Sequence, residues 1–139
     1  MHSRRQTRQF AELSEYVLDV DRRLVSVKFR KKVTVGAIEE YAASLRANPL
    51  FHPDFSEIVD MTEADDLDLK AEDFIRLADR IDPFSMHARR AFVARDAVQK
   101  HASRMHKILR TQRNFSIFGS VEEAERWIKA ESSTSFHRP

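Results

Sequence analysis

The chain has 139 residues, of which 42% are hydrophobic and 33% are charged, and its formal net charge is +2. That length suits one domain whose core removes roughly 65 to 70% of the unfolded chain's surface from water. The chain has no cysteine and only two glycines, Gly36 and Gly119, which excludes disulfides, thiolate metal sites and glycine-rich phosphate loops. No apolar run approaches the ~18 residues that a membrane span requires, so we expect a soluble, cytoplasmic protein.

Charged residues are distributed unevenly along the chain. Residues 54–82 contain eleven acidic residues and three basic ones, whereas residues 86–114 contain eight basic residues and one acidic one. Opposite charges of this kind can pair within one molecule, between two copies, or with an outside ligand. The chain is therefore dipolar rather than simply basic.

The first predicted elements are a polar tail and a β-hairpin. Residues 1–13 are polar and show little periodicity, so we expect a flexible N-terminal tail. Residues 16–20 and 24–29 are rich in β-forming side chains, and the second run alternates apolar with polar residues. This pattern predicts a hairpin with one buried face.

A helix, a strand and a second helix follow. Thr34 can cap a helix that ends at Asn48, because the next residue is proline. Residues 55–60 are predicted to form a strand, followed by an acidic loop. Asp68 is expected to begin the second helix, which ends at Asp82 before another proline. The positions of this helix that we expect to be buried are Ala71, Phe74, Ile75, Ala78 and Ile81.

The alternation of strands and helices continues in the basic part of the chain. Residues 90–94 and 115–118 are predicted to form strands, and a third helix runs between them from about Asp96 to Arg110. The positions of this helix that we expect to be buried are Val98, Ala102, Met105 and Leu109.

A fourth helix and a second tail complete the predicted order. Ser120 and Glu123 form a capping box at the start of the helix, and the small, polar residues 131–139 are expected to be a flexible C-terminal tail. The order predicts one α/β domain over residues 14–130. We expect a mixed sheet of about five strands, with an N-terminal hairpin, parallel βα units with right-handed crossovers, and four helices.

Two motifs near the end of this domain resemble a known family. Residues 113–118 read Arg-Asn-Phe-Ser-Ile-Phe, and residues 120–127 read Ser-Val-Glu-Glu-Ala-Glu-Arg-Trp. With the element order and the run at 55–62, they resemble the SpoIIAA-like proteins of the STAS superfamily, the domain of anti-sigma-factor antagonists and sulphate-transporter tails. The similarity covers about residues 16–130, and its motifs are mainly packing and capping signals.

The resemblance supports the fold more than the function; for function it suggests regulation through protein–protein association. Antagonists of this family carry Asp-Ser-Ser-Gly where the second helix begins, and a kinase partner phosphorylates the serine. The matching residues here are Asp68, Leu69, Lys70 and Ala71, so the usual phosphorylatable serine is absent. Thr62, the nearest hydroxyl, and Asp68 are candidate regulatory residues, and helix N-capping is the plainer interpretation of Asp68.

The most distinctive predicted surface is a basic stripe on the third helix. Lys100, Arg104 and Lys107 are spaced so that they share one face, and Arg110 and Arg113 extend it. Such a stripe can attract phosphate groups or an acidic protein face. The alternatives are a solvated face or a partner for the acidic part of the same chain. Because no aromatic residue interleaves the stripe, we expect no nucleic-acid partner.

No pattern of catalytic or metal-binding residues is evident. His101 and His106 are five residues apart on one helix and cannot converge on one metal ion, and no nucleophile motif is present. We therefore predict neither a metal nor a cofactor, and no catalysis. The phenylalanines are interpreted mainly as core residues, while Leu50, Phe51 and Phe84 are candidates for the lining of an apolar pocket or a dimer contact.

The leading hypothesis is thus a non-enzymatic domain that binds another protein or a second copy of itself as a homodimer. The alternative is a sensor of a small ligand or lipid that uses an apolar pocket. A third hypothesis is an enzyme of unrecognised type, whose polar groups would converge from separate strand ends.

Overall fold

The computed structural model describes residues 4–136 of the chain, with side chains for residues 4–130. The strands are β1 (Arg5–Phe10), β2 (Ser14–Asp19), β3 (Leu24–Lys28), β4 (Lys31–Thr34), β5 (Ser56–Asp60), β6 (Ala64–Asp68), β7 (Arg90–Val93) and β8 (Phe115–Phe118). The helices are α1 (Val35–Ala47), α2 (Ala71–Arg76), α3 (Ala97–Arg110) and α4 (Val121–Phe136). A π-helical turn, Leu77–Ile81, directly continues α2.

Six strands form the main sheet in the order β1-β2-β3-β5-β7-β8. The pairs β1–β2 and β2–β3 are antiparallel, and the pairs β3–β5, β5–β7 and β7–β8 are parallel. The predicted α/β class, with its mixed, mostly parallel sheet and four helices, is confirmed. The main sheet has six strands rather than about five.

The additional strand is β1, which lies inside the segment 1–13 that the sequence predicts to be a flexible tail. It pairs with β2 along its whole length. Because β1 is an edge strand with mostly exposed residues, no hydrophobic alternation marks it in the sequence. Phe10 is the exception, since its ring is buried against Phe29 and Tyr41 at centroid distances of 5.5 Å.

A small second sheet pairs β4 with β6 in parallel. Part of the acidic stretch is therefore a strand and not the predicted loop. Lys32 lies opposite Asp66 in the register. Lys28 and Arg30 bind Glu63, which precedes β6, at 2.9 and 3.1 Å. These basic residues offset the negative charge that would otherwise oppose strand pairing.

The helices cover both faces of the main sheet. α4 packs on one face, where Ile58, Val93 and Ile128 belong to one buried cluster. On the other face, Tyr41 and Leu45 of α1 pack with Val59 in the larger core cluster. That second face also carries α2 and α3, so it is the more heavily covered side.

Two helices begin at the predicted caps. The Thr34 hydroxyl accepts a hydrogen bond from the Ala37 N–H at 3.0 Å, at the start of α1. The Ser120 hydroxyl accepts from the Glu123 N–H at 3.2 Å and lies 3.2 Å from the Glu123 carboxylate. Thr34 and Ser120 thus cap their helices as predicted, while the Glu123 carboxylate accepts from the Ser120 hydroxyl rather than from its backbone N–H.

The second helix starts later than predicted. Asp68 is the last residue of β6 and does not cap α2. The Asp73 carboxylate instead accepts from the Lys70 N–H at 2.8 Å. Ile75, which the helical pattern places in the core, is 59% exposed, because α2 is short and the π-helical turn that follows carries the buried residues.

The third helix differs most from its prediction. Val98 and Leu109 are 66% and 39% exposed, and Met105 is only half-buried. Polar side chains replace them on the inner face because each has a buried partner; the Gln99 amide, for example, donates to the Met61 carbonyl at 2.9 Å. The residues of α3 that face the interior are Gln99, Ala102, Ser103 and His106.

The C-terminal helix α4 continues to Phe136, beyond residue 130 where the sequence predicts that a tail begins. The outer parts of the two predicted tails, residues 1–3 and 137–139, lie outside the described residues. Within the described part of the chain, no helix is both long enough and apolar enough to cross a membrane.

Candidate functional site

A cavity of about 90 Å³ lies between the main sheet and the helices on the α1–α3 side. Most of its lining is apolar and includes Val59 and Phe92 of the sheet, Ala42 of α1, Phe74 of α2 and Ala102 of α3. The small side chains of the two alanines leave space where larger residues would complete the packing. The cavity is partly open to solvent.

Polar side chains line one part of this cavity. The burial of a charged or polar group is unfavourable unless the group finds a partner. The pairing of these side chains therefore decides what this region can do chemically. The polar residues that line the cavity are Tyr41, Glu57, Asp82, Arg90, Ser103 and His106.

Glu57 and Arg90 form the centre of the polar region. They lie opposite each other in the parallel pair β5–β7, and their side chains are 1% and 4% exposed. Arg90 Nη2 and Nε lie 2.7 and 2.9 Å from Glu57 Oε1. The guanidinium carbon also lies 4.7 Å from the centroid of the Phe84 ring. The positive charge of Arg90 is therefore enclosed between a carboxylate and an aromatic face.

Asp82 extends this pair into a network. Its Oδ2 accepts from Arg90 Nη1 at 2.6 Å. The same oxygen lies 2.6 Å from His106 Nε2 and 3.5 Å from Arg110 Nε. Burial alone would raise the pKa of the Asp82 carboxyl, but the charge of Arg90 and the hydrogen bond from His106 hold it well below its ordinary value. Because Asp82 stays ionised, the hydrogen between Asp82 and His106 is carried by Nε2.

Tyr41 completes the other end of the network. Its hydroxyl donates to Glu57 Oε2 at 2.6 Å. Burial, together with the negative charge of Glu57, raises the pKa of Tyr41 well above its ordinary value, so the phenol stays neutral. The ring also packs against Phe10, Tyr16 and Phe29, which fixes its position from the opposite side.

The π-helical turn places Asp82 in this network. The Asp82 N–H donates to the Leu77 carbonyl at 2.9 Å, five residues earlier, so the turn is one residue wider than an α-helical turn. Pro83 follows and prevents the helix from continuing. Turns of this type are frequent at functional sites, and this one ends at the most connected carboxylate of the cavity.

Gln112 holds the loop between Asp82 and β7. Its amide nitrogen donates to the carbonyls of Ser85, Met86 and Ala88 at 3.0 to 3.1 Å. Its amide oxygen accepts from Arg90 Nη1 at 3.1 Å. One buried side chain thus ties the loop to the charge network.

The predicted basic stripe is only partly assembled. Lys100, Arg104 and Lys107 lie on the exposed side of α3. Arg110 turns inward, where it donates to two backbone carbonyls near the π-helical turn and approaches the charge network. Arg113 is exposed in the segment after α3. Three of the five predicted residues therefore share one surface.

An exposed apolar ridge lies beside these basic residues, and we call it the α3 ridge. It consists of Val98, Met105, Ile108 and Leu109, of which Val98 and Ile108 are 66% and 68% exposed. Most of the apolar side chains of α3 that the helical pattern places in the core thus lie on the surface. The α3 ridge and the basic stripe together form an amphipathic outer face.

Neither of the two candidate regulatory residues lines the cavity. The N–H and the hydroxyl of Thr62 both donate to Asp60 Oδ1, at 2.9 and 2.7 Å, and the residue is half-buried. Asp68 is exposed at the end of β6, opposite Thr34. Among the described residues, no hydrogen bond or ion pair joins Thr62 or Asp68 to the basic stripe.

The architecture is shared with a solved structure. This is an uncharacterised protein of the DUF3478 family from Shewanella loihica, described as having a SpoIIAA-like fold. The two share 20% sequence identity with a TM-score of 0.51, over 89% of this chain and 91% of that chain. The fold is SpoIIAA-like. No family model and no curated protein matches the sequence.

The resemblance that the sequence motifs suggest is therefore confirmed at the level of the SpoIIAA-like fold. At this sequence identity the similarity shows the architecture alone. Function has to be argued from the residues of the site.

Sequence reasoning missed the charge network, although two signals point to it. Glu57 interrupts an apolar strand, and Arg90 begins the next strand, so both charged residues lie in segments expected to be buried. On α3, Gln99, Ser103 and His106 follow a four-then-three spacing that marks one helix face. When the apolar face of a helix lies on the surface, the polar face is the inner one. Its side chains then have buried partners.

The lining of the cavity suits the enclosure of an apolar molecule. Within the described residues, no group of three His, Cys, Asp or Glu side chains is arranged to hold a metal ion. The charged groups of the cavity are paired with one another, and the remaining lining is apolar. Such a site can enclose an apolar molecule and contact its polar group at one end.

Proposed function

We propose that this chain binds a small apolar molecule in the cavity of its SpoIIAA-like fold, without catalysing a reaction. The observation that carries the proposal is the cavity itself, which is lined by apolar side chains but has one polar region. Binding sites for small molecules commonly combine an apolar lining with a few placed polar groups. The buried charge network supports the shape of the site because it fixes the surrounding strands and loop.

The volume of the cavity limits the occupant. An engineered cavity of about 150 Å³ in another protein binds benzene, and the cavity here is smaller, at about 90 Å³. A compact molecule, or the end of a longer chain that extends through the open side, matches this volume. Burial of its apolar surface would stabilise the complex by about 25 cal/mol for each Å² removed from water.

Two matched substitutions test this proposal. Ala42 lines the cavity, and its neighbour Ala43 is exposed on the same helix, so Ala42→Leu fills the cavity whereas Ala43→Leu adds the same atoms to the surface. We expect native mass spectrometry of the full chain, purified from its own cells, to detect a non-covalently bound organic mass. The mass should persist in Ala43→Leu and be lost in Ala42→Leu, with both variants folded by circular dichroism.

Two results would count against the ligand-binding function. The first is wild-type protein without bound mass that also fails to bind small apolar probes. The second is an Ala42→Leu variant that retains the bound mass, because the ligand would then lie elsewhere.

A second candidate function is association with another copy of the chain, for which the α3 ridge is the supporting observation. Exposed Val98 and Ile108 lie beside Lys100, Arg104 and Lys107, so this face combines apolar area with positive charge. The exposed acidic residues of β6 and α2 offer a complementary negative face on a second copy. We propose that the basic stripe contributes to this contact.

Sedimentation velocity distinguishes the association from a monomer. We expect a homodimer at low ionic strength that dissociates at high ionic strength, because exposed charges are screened by salt. Ile108→Ser should give a monomer at both ionic strengths. Leu13→Ser, at an exposed position outside the α3 ridge, should behave like the wild type. A wild-type protein that is monomeric in both buffers rules this candidate out.

A further inference from the structure

The positively charged side chain that lines the cavity already binds other residues of the same chain. Arg90 is the only arginine or lysine among the described residues that line the cavity. Its Nε and Nη2 face Glu57, and its Nη1 donates to Asp82 and Gln112. A ligand carboxylate would have to displace one of these partners and would join two buried carboxylates, both of which oppose its burial.

The polar atoms that the cavity still offers are hydrogen-bond acceptors. The Ser103 hydroxyl donates to the Gln99 carbonyl at 2.9 Å, so its oxygen can accept. His106 donates through Nε2 to Asp82, which leaves Nδ1 as an acceptor when the imidazole is neutral, and Nδ1 makes no hydrogen bond to another described residue. Ser103 and His106 are three residues apart on α3, so both acceptors lie on one helix face.

We infer that the cavity selects a neutral apolar molecule whose polar group is a hydrogen-bond donor, such as an alcohol, and rejects the carboxylate of the same carbon skeleton. The donor binds to Ser103 Oγ and His106 Nδ1, while the carbon chain occupies the apolar part of the cavity beside Ala42 and Phe92. This inference rests on the proposed ligand-binding function and names the chemical class of the ligand.

Three probes with six carbon atoms each test the contribution of the hydrogen-bond donor. They are n-hexanol, its isomer methyl pentyl ether, which accepts but does not donate, and hexanoate, which is charged. Each is titrated into the full chain in mildly alkaline buffer and followed by amide chemical shifts in NMR spectra. We expect n-hexanol to shift the amides around the cavity and to bind roughly tenfold or more tightly than the other two.

Substitutions on α3 test the two acceptors. His106→Phe keeps an aromatic ring beside Phe92 and removes the acceptor, and Ser103→Ala removes a hydroxyl. We expect at least one of them to reduce the preference for n-hexanol over the ether by roughly fivefold. The control is Ser116→Ala in β8, outside the cavity lining, which should keep the wild-type preference.

Each other outcome has a distinct meaning. If hexanoate binds as tightly as n-hexanol, or if all three probes bind equally, the selectivity is overturned while ligand binding itself stands. An unchanged preference in both α3 variants overturns the assignment of the acceptors. If no probe shifts the cavity amides at saturating concentration, the proposed function fails, and the inference fails with it.

Discussion

Arg90 joins three polar side chains at the candidate site. It binds Glu57 on the neighbouring strand, Asp82 after the π-helical turn and Gln112 after α3. Burial favours loss of its proton, but the charges of Asp82 and Glu57 raise the pKa of the guanidinium, so it stays charged. Without Arg90, the two carboxylates would remain in the interior with much less compensation.

Replacement of Arg90 should therefore destabilise the whole protein. We expect Arg90→Met to lower the free energy of unfolding by about 3 to 5 kcal/mol, because two buried carboxylates lose their principal partner. Urea denaturation followed by circular dichroism measures the change. Arg113→Met is the control, and at its exposed position it should change the free energy of unfolding by no more than about 0.5 kcal/mol. Equal stabilities of the two variants would contradict the role of the network.

Asp82 predicts the pH dependence of stability. The pKa of its carboxyl is lower in the folded chain than in the unfolded chain, so the ionised form stabilises the fold above the ordinary Asp value of about 3.9. This stabilisation is lost as the pH falls below that value. We expect Asp82→Asn to be less stable than the wild type near neutral pH and to lose less stability on acidification, as measured by urea denaturation over a pH series. Asp79→Asn, which changes an exposed neighbour, should keep the wild-type slope.

Among the structural elements, β1 shows how an edge strand escapes sequence analysis. One of its faces and its outer edge meet solvent, so its residues carry little hydrophobic pattern. Its contribution is concentrated in Phe10, whose ring contacts Tyr16, Phe29 and Tyr41.

Truncation of Phe10 should show whether β1 is part of the core. We expect Phe10→Ala to lower the free energy of unfolding by about 3 kcal/mol, because a buried aromatic ring is lost and a cavity remains. Leu13→Ala provides the comparison, since Leu13 is 63% exposed in the turn that follows and should change stability by less than about 0.5 kcal/mol. Thermal and urea denaturation of both variants measure the difference. A Phe10→Ala variant as stable as Leu13→Ala would mean that the segment behaves as a tail.

The elements that could be predicted are those specified by neighbouring residues. Thr34 and Ser120 bind backbone groups only three residues away, so the sequence reveals the helices they cap. The inner face of α3 could not be predicted in this way, because His106 finds its partner Asp82 twenty-four residues earlier in the chain. The apolar pattern of α3 instead marks the α3 ridge on the surface. Local signals thus define elements, whereas the candidate site depends on distant pairings.

At the scale of the whole molecule, the acidic and basic segments of the chain meet inside the fold. Strands β5 and β7 bring Glu57 to Arg90, and the π-helical turn brings Asp82 to the same arginine. The charges left outside include Asp65 and Asp66 on β6 and Lys107 on α3. The charge asymmetry of the sequence is therefore partly used for internal pairing, and the remaining charges lie on the surface.

Burial also differs between the elements of the molecule. The difference predicts which segment opens locally. α2 contains no buried residue, whereas the central strand β5 is buried at Glu57, Ile58, Val59 and Asp60. Segments with few buried contacts exchange their amide hydrogens through local opening, and central strands exchange only when the whole domain unfolds. We expect the amides of α2 to exchange much faster than those of β5 in hydrogen-exchange mass spectrometry. Because Phe74 of α2 lines the cavity, n-hexanol should slow exchange in α2 and leave the edge strand β1 unchanged. Protection of α2 equal to that of β5 would contradict local opening and would place the route into the cavity elsewhere.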